Sequence, residues 1–229
     1  MLELRELVKY YRVGVGEPVR AVDDVSLAVA AGELAALYGP SGSGKTTLLM
    51  LVAALLTPDS GSVLVRGREV SALSVSEGAR YRRMELGFVR QSLDLVPGVG
   101  VLDNAALKLF GSMRKREAHR RVAPLLEMLG LGERLKSRPE QLSMGERQRV
   151  MIARALSTEP ELVLADEPTG SLDTSRGREV LALLRDLAHE RGVAVVLVTH
   201  DPQAVAYADS VYALRDGRLV DHEPSPALA

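Results

Sequence analysis

Short aliphatic runs without alternation are the first regularity of this chain. Ala35–Tyr38, Leu162–Ala165 and Val193–Val198 are apolar throughout, which is the pattern of strands buried on both faces, as in a parallel sheet flanked by helices. Leu86–Val89 is apolar as well. Between them lie helical periods. Thr46–Leu56 is long and helix-compatible. Val180, Leu181, Leu183, Leu184 and Leu187 form a stripe with Arg185, Asp186 and Glu190 outside it. The first thirty residues and Gly61–Val70 read differently: Val22, Val25, Leu27 and Val29, and Val63 to Val65, sit among turn signals and predict short antiparallel strands. From Ser92 to Ser157 the strand signal disappears and helices dominate. The expectation is one α/β domain without internal repeats. Its core spans residues 1–91 and 158–222, with an antiparallel β part near the N-terminus, a helical insertion at 92–157 and a loose tail at 223–229.

Composition narrows the function more than the fold. At 229 residues, 46% apolar and 26% charged, the chain suits a single globular domain, and its net charge of −1 gives no sign of a nucleic-acid binder. The basic run Arg114-Lys115-Arg116 with Arg120 and Arg121 reads as one solvated helix face. Cysteine is absent, which removes disulfide scaffolds, thiol catalysis and thiolate zinc sites. No secretory signal is visible, and the longest apolar runs, such as Leu48–Leu56, fall far short of the ~20 residues of a membrane helix. If the protein serves a membrane, another chain is expected to cross it.

Gly39-Pro-Ser-Gly-Ser-Gly44-Lys45-Thr46 fits G-x-x-x-x-G-K-[ST] between a predicted strand and a predicted helix. Its glycines let backbone N–H groups curl around anionic oxygens, and the helix start adds positive potential. Lys45 is expected on the outer phosphates and Thr46 on Mg²⁺, with Gly39, Ser41, Gly42, Gly44 and Thr47 completing a nucleoside-triphosphate loop. Asp166 and Glu167 leave the strand Leu162–Ala165 at its carboxyl end, where ligands of such sheets bind. There Asp166 would approach the Mg²⁺ and Glu167 would polarise an attacking water. His200, at another strand end, is placed to contact a γ-phosphate, and Gln91 follows Leu86–Val89. Neither residue alone separates a ligand from an ordinary turn residue.

A second anion grip stands apart from the first. Ser143, with Glu146 three residues on, fits a capping box opening the helix Gly145–Leu156. The same hydroxyl and free N–H groups could equally grip a phosphate. Since the chain already has a phosphate loop, that second grip is useful only if it closes on another subunit's nucleotide.

Leu142-Ser-Met-Gly-Glu-Arg-Gln148 resembles the signature motif of ATP-binding cassette (ABC) ATPases. Gly39–Thr46, Gln91, Asp166-Glu167, Ser171-Leu-Asp173 and His200 stand around it in that family's order, so the resemblance covers nearly the whole chain. It implies a P-loop NTPase core and a head-to-tail homodimer holding two ATP and Mg²⁺. Each ATP would lie between one subunit's P-loop and the other's Ser143, Gly145, Glu146 and Asp173. Tyr11 would stack on adenine, Gln91 would join Thr46 and Asp166 at the metal, and Glu167, His200 and Gln91 would be the catalytic group. The phrasing is similar to cassettes of lipoprotein-releasing, macrolide-export and cell-division permeases. Three positions depart from it: Met144 for a glycine, Arg90 for an aromatic residue and Ser171 for an asparagine.

The resemblance implies an energy subunit at the cytoplasmic face of a membrane, joined to an integral permease on a separate chain. It places the permease contact on the helical insertion, where the stretch Arg90–Gly100, with Leu95 in it, is expected to offer an apolar docking face. The alternatives are a nucleotide-gated regulatory subunit of a cell-division-type complex and a soluble ABC ATPase. Only 98 positions separate Lys45 from Ser143 (143 − 45), which leaves no room for the long coiled coil of repair relatives.

Overall fold

A computed structural model describes residues 1–12, 18–90, 92, 94–170 and 172–224. The elements run β1 (Leu2–Tyr11), β2 (Val19–Val29), β3 (Leu34–Tyr38), α1 (Lys45–Val52), β4 (Ser60–Val65), β5 (Arg68–Glu69), α2 (Val75–Met84) and β6 (Leu86–Val89). Then follow α3 (Val101–Ala105), α4 (Lys115–Met128), α5 (Met144–Leu156), β7 (Leu162–Asp166), α6 (Thr174–Arg191), β8 (Ala194–Thr199), α7 (Pro202–Val205), β9 (Ser210–Arg215) and β10 (Arg218–Pro224). One sheet has the order β2-β1-β4-β5 and is antiparallel throughout. The other has the order β10-β9-β3-β8-β7-β6, parallel except for the β9–β10 hairpin. This is the mixed α/β architecture of a P-loop NTPase.

The parallel sheet separates two apolar cores, and alternate residues of each strand feed them. Leu34, Ala36, Val163, Ala165, Val195 and Leu197 face the helices, where they meet Val101, Val122, Val150, Ile152 and Leu184. Ala35, Leu37, Leu162, Leu164, Val196 and Val198 face the antiparallel sheet and α1, through Leu2, Leu7, Val25, Leu48 and Leu49. On α4, Ala118, Val122 and Leu126 are buried at a spacing of four, while Arg114, Lys115, Arg116, Arg120 and Arg121 are exposed.

Two expectations are corrected. The helix predicted over Thr46–Leu56 stops at Val52, because Ala54 takes a left-handed φ of 49° and the amides of Leu55 and Leu56 turn back to the Met50 carbonyl. Arg82 holds that turn by donating to the Ala54 carbonyl at 2.6 Å. Leu95 is not on a docking face: it is 8% exposed and packs in the helix-side core. The loop wraps around the buried Asn104 amide, which accepts from Val96 N at 2.8 Å and donates to the Val99 carbonyl at 2.9 Å. Arg154 adds a bond to the Asp94 carbonyl at 2.9 Å. A charge at Leu95 would therefore be a folding defect, and Val96 is the exposed neighbour. The last strand takes in Glu223 and Pro224, paired with Val211 and Ser210, and the rest of the expected tail lies outside the described residues.

Candidate functional site

The loop between β3 and α1 depends on two glycines. Gly44 has φ 105°, and a side chain there would overlap the Ala21 carbonyl of β2; one on Gly39 would overlap the Leu214 carbonyl of β9. The β9–β10 turn braces the loop as well, with Gly217 N donating to Ser43 O at 3.1 Å and Asp23 N to Gly217 O at 2.8 Å. Lys45 is buried, and its ammonium donates to the Gly39 and Pro40 carbonyls, each at 2.7 Å. Burial draws its pKa below the ordinary lysine value, while the charges of Glu167 and Asp166 oppose that.

The carboxylates sit where parallel strands end. Burial, with the Glu167 charge beside it, raises the Asp166 carboxyl above its usual range; Arg90 and Lys45 pull it back. Two close acids with a hydroxyl, Thr46, in the same cleft form a donor set suited to a hard divalent cation. Glu167 is held in a left-handed backbone, φ 46°, that a non-glycine residue rarely adopts. Its amide bonds Val198 O at 2.9 Å, and its side chain lies 2.6 Å from His200 Nδ1. The strand ends of β7 and β8 thus aim one carboxylate into the cleft.

That cleft, about 660 Å³, brings together Tyr11, Ser41, Gly42, Gly44, Lys45, Thr46, Thr47, Asp166, Glu167 and His200. Val19, Arg20 and Asp216 also line it, and sequence reasoning missed them. Asp216-Gly217 could have been found as a hairpin turn, with φ of 49° and 79°. Arg20 carries no local signal; it lies 3.2 Å from Asp23 and over the Tyr10 ring.

Ser143, Gly145, Glu146 and Asp173 do not line this cleft. Ser143 caps α5 in a two-way box: Glu146 N donates to its hydroxyl at 3.3 Å, and its own N–H donates to the Glu146 carboxylate at 2.8 Å. Asp173 caps α6 through Arg176 N, and the Arg176 side chain packs against Gly145, so these residues form a second cluster. Gln91 and Ser171 lie outside the described residues. Met144 opens α5 in helical backbone with its side chain 45% exposed. Met144→Gly is therefore expected to change steady-state turnover less than about twofold, since it relieves no left-handed strain. Several-fold activation in an ATPase assay would overturn this.

A phosphate loop, paired strand-end carboxylates and a parallel sheet define a P-loop nucleoside triphosphatase. The chain belongs to the ABC transporter family, which matches residues 22–170, and it is an ATPase of the ABC type. An uncharacterised ABC transporter ATP-binding protein of Thermotoga maritima is 44% identical over 96% of this chain and 93% of its own length. The lipoprotein-releasing system ATP-binding protein LolD 2 of Chlorobaculum tepidum is also 44% identical, over 96% of this chain and 91% of its own. Among solved structures, the dimeric post-hydrolysis state of the ATP-binding cassette MJ0796, bound to ADP and Pi, is similar with a TM-score of 0.89. It is 35% identical over 100% of both chains. Among the described residues, no helix is long and apolar enough to cross a membrane.

Proposed function

We propose that this chain energises a membrane permease by closing head-to-tail with a second copy around two ATP. The observation that carries the reading is the separation of the two grips: Lys45 and Thr46 line the cleft, while Ser143 and Gly145 lie outside it in the same chain. A second copy supplies the missing side. In this scheme Gly39, Ser41, Gly42, Gly44 and Thr47 surround the phosphates with Lys45, and Tyr11, exposed at the cleft edge, stacks on the adenine. Thr46 and Asp166 would hold Mg²⁺, with Gln91 as the third ligand expected from the resemblance. When bound, that ion would supply Lewis-acid chemistry that offsets the negative charge developing on the phosphates.

Glu167 takes the proton of the attacking water, and His200 fixes the orientation of its carboxylate. Ser143, Gly145, Glu146 and Asp173 of one copy close over the nucleotide of the other. The LolD 2 likeness supports work at the cytoplasmic face of a membrane, with the permease on another chain. A nucleotide-gated regulatory subunit remains the second reading; the paired Glu167 and His200 favour turnover over gating alone.

Mixing two inactive variants tests the shared site. Lys45→Ala spoils the P-loop and Ser143→Arg spoils the closing face, yet a mixed dimer retains one whole site. Neither variant alone should hydrolyse ATP, and the mixture should. No restored activity from variants that fold and mix would count against a site shared between copies.

A further inference from the structure

The strand β2 carries one extra residue where it passes the phosphate loop. Lys9 pairs with Val22 but Tyr10 with Arg20, so Ala21 is a β-bulge, and its carbonyl is the group that crowds Gly44. Beside the bulge lies a buried carboxylate that hydrolysis itself does not use. Asp23 is 8% exposed, and its side chain accepts from Arg218 Nε at 2.8 Å and from Arg20 Nη1 at 3.2 Å. The hydrogen bond from Arg218, more than that from Arg20, holds this carboxyl below its usual range against its burial. The two guanidiniums lead to different ends of the nucleotide cleft. Arg218 follows Gly217, whose carbonyl accepts from Asp23 N at 2.8 Å and whose amide donates to Ser43 O in the phosphate loop at 3.1 Å. Arg20 lines the cleft and lies 5.6 Å from the centre of the Tyr10 ring, one residue before Tyr11.

We propose that Asp23 is a positioning residue for ATP. Through Arg218 and Gly217 it fixes the phosphate loop, and through Arg20 it fixes the strand end that carries Tyr11. The inference rests on the reading of that cleft as the ATP site. Asp23 does not line the cleft, so it acts only through its neighbours. β2 and β10 are edge strands of different sheets. Where they meet, Asp23 spans the gap, with its amide on the Gly217 carbonyl and its carboxylate on Arg218. The bulge makes that tether matter, because it takes Ala21 out of the β1–β2 ladder at the point where β2 touches Gly44. Charge-assisted bonds to a buried carboxylate hold geometry better than an exposed pair does. Both guanidiniums are more than half exposed, so removing the acid leaves no buried cation behind.

The test measures, on the full chain, Kd for a fluorescent ATP analogue, KM and kcat for Mg-ATP, and a thermal melt. Asp23→Ala is expected to raise Kd and KM about tenfold with kcat within about twofold of wild type, because no group at the reacting atoms is lost. Arg218→Ala, at an exposed position outside the cleft, should raise both about threefold or more, and Arg218→Lys should stay within about twofold of wild type. Asp23→Ala combined with Arg218→Ala should bind ATP no worse than Asp23→Ala alone, since both cut one link. Arg68→Ala breaks the exposed pair Arg68–Glu85, 3.1 Å apart and away from the cleft, and should leave Kd unchanged. Wild-type Kd and KM in both alanine variants overturn the proposal, even with lowered melting temperatures, as does a loss confined to kcat. An equal rise in Kd for Arg68→Ala overturns it too. If Asp23→Ala does not fold, Arg218→Ala decides the matter. Lys45→Ala tests the underlying site: ATP binding that survives it removes this cleft as the ATP site and the proposal with it. Binding lost in Lys45→Ala but normal in Arg218→Ala keeps the site and overturns only the tether.

Discussion

Glu167→Gln is expected to slow ATP hydrolysis at least ~10²-fold while leaving ATP binding near the wild-type level. The substitution keeps the shape of the side chain and its ability to accept from His200, 2.6 Å away, but removes the basicity that would take a proton from water. The backbone should hold, because the left-handed turn at Glu167 is fixed by its amide on Val198 O and by its own carbonyl accepting from Gly170 N. No phosphate ligand is touched. If two copies close around two ATP, the variant should then accumulate as a dimer with Mg-ATP and return to monomer once nucleotide is removed. Light scattering with and without Mg-ATP reads this directly. A variant shown to bind ATP that stays monomeric at all concentrations would sink the two-site dimer. One that hydrolyses at the wild-type rate would remove Glu167 from the role of base.

What could be read from the sequence follows the range of the forces involved. The strands β3, β7 and β8 were legible because burial on both faces leaves them apolar up to their last residues, Tyr38, Asp166 and Thr199. The cap at Ser143 was legible because the capping box is complete within four residues. Leu95 was misread for the opposite reason. Its burial is imposed by Asn104, nine positions on, and by Arg154, and an apolar residue in a Pro- and Gly-rich stretch looks the same whether it faces in or out. The end of α1 is also set at a distance, by Arg82 gripping the Ala54 carbonyl. Arg20 and Asp216 reach the cleft from β2 and from the β9–β10 turn, which only the folded sheet brings beside the P-loop.

Gly44→Ala and Gly42→Ala separate the two reasons a phosphate loop uses glycine. Both residues have positive φ, 81° at Gly42 and 105° at Gly44, so an alanine is strained at either. Only one lacks space. A side chain on Gly42 would meet nothing within 4 Å, whereas one on Gly44 would overlap the Ala21 backbone carbonyl. Strain alone costs about 1–2 kcal/mol, so Gly42→Ala should weaken ATP binding no more than about thirtyfold. At Gly44 the clash is with backbone, and either the loop or β2 must move. Moving the loop shifts Lys45, the next residue, away from the phosphates; moving β2 disturbs Val19, Arg20 and Ala21 along the same cleft. Gly44→Ala should therefore lose ATP affinity ~10²-fold or more and also lower the unfolding temperature. Titration with a fluorescent ATP analogue and a thermal melt of each variant decide the matter. Equal losses at both positions would mean that backbone conformation, and not the approach of β2, sets the need for glycine in this loop.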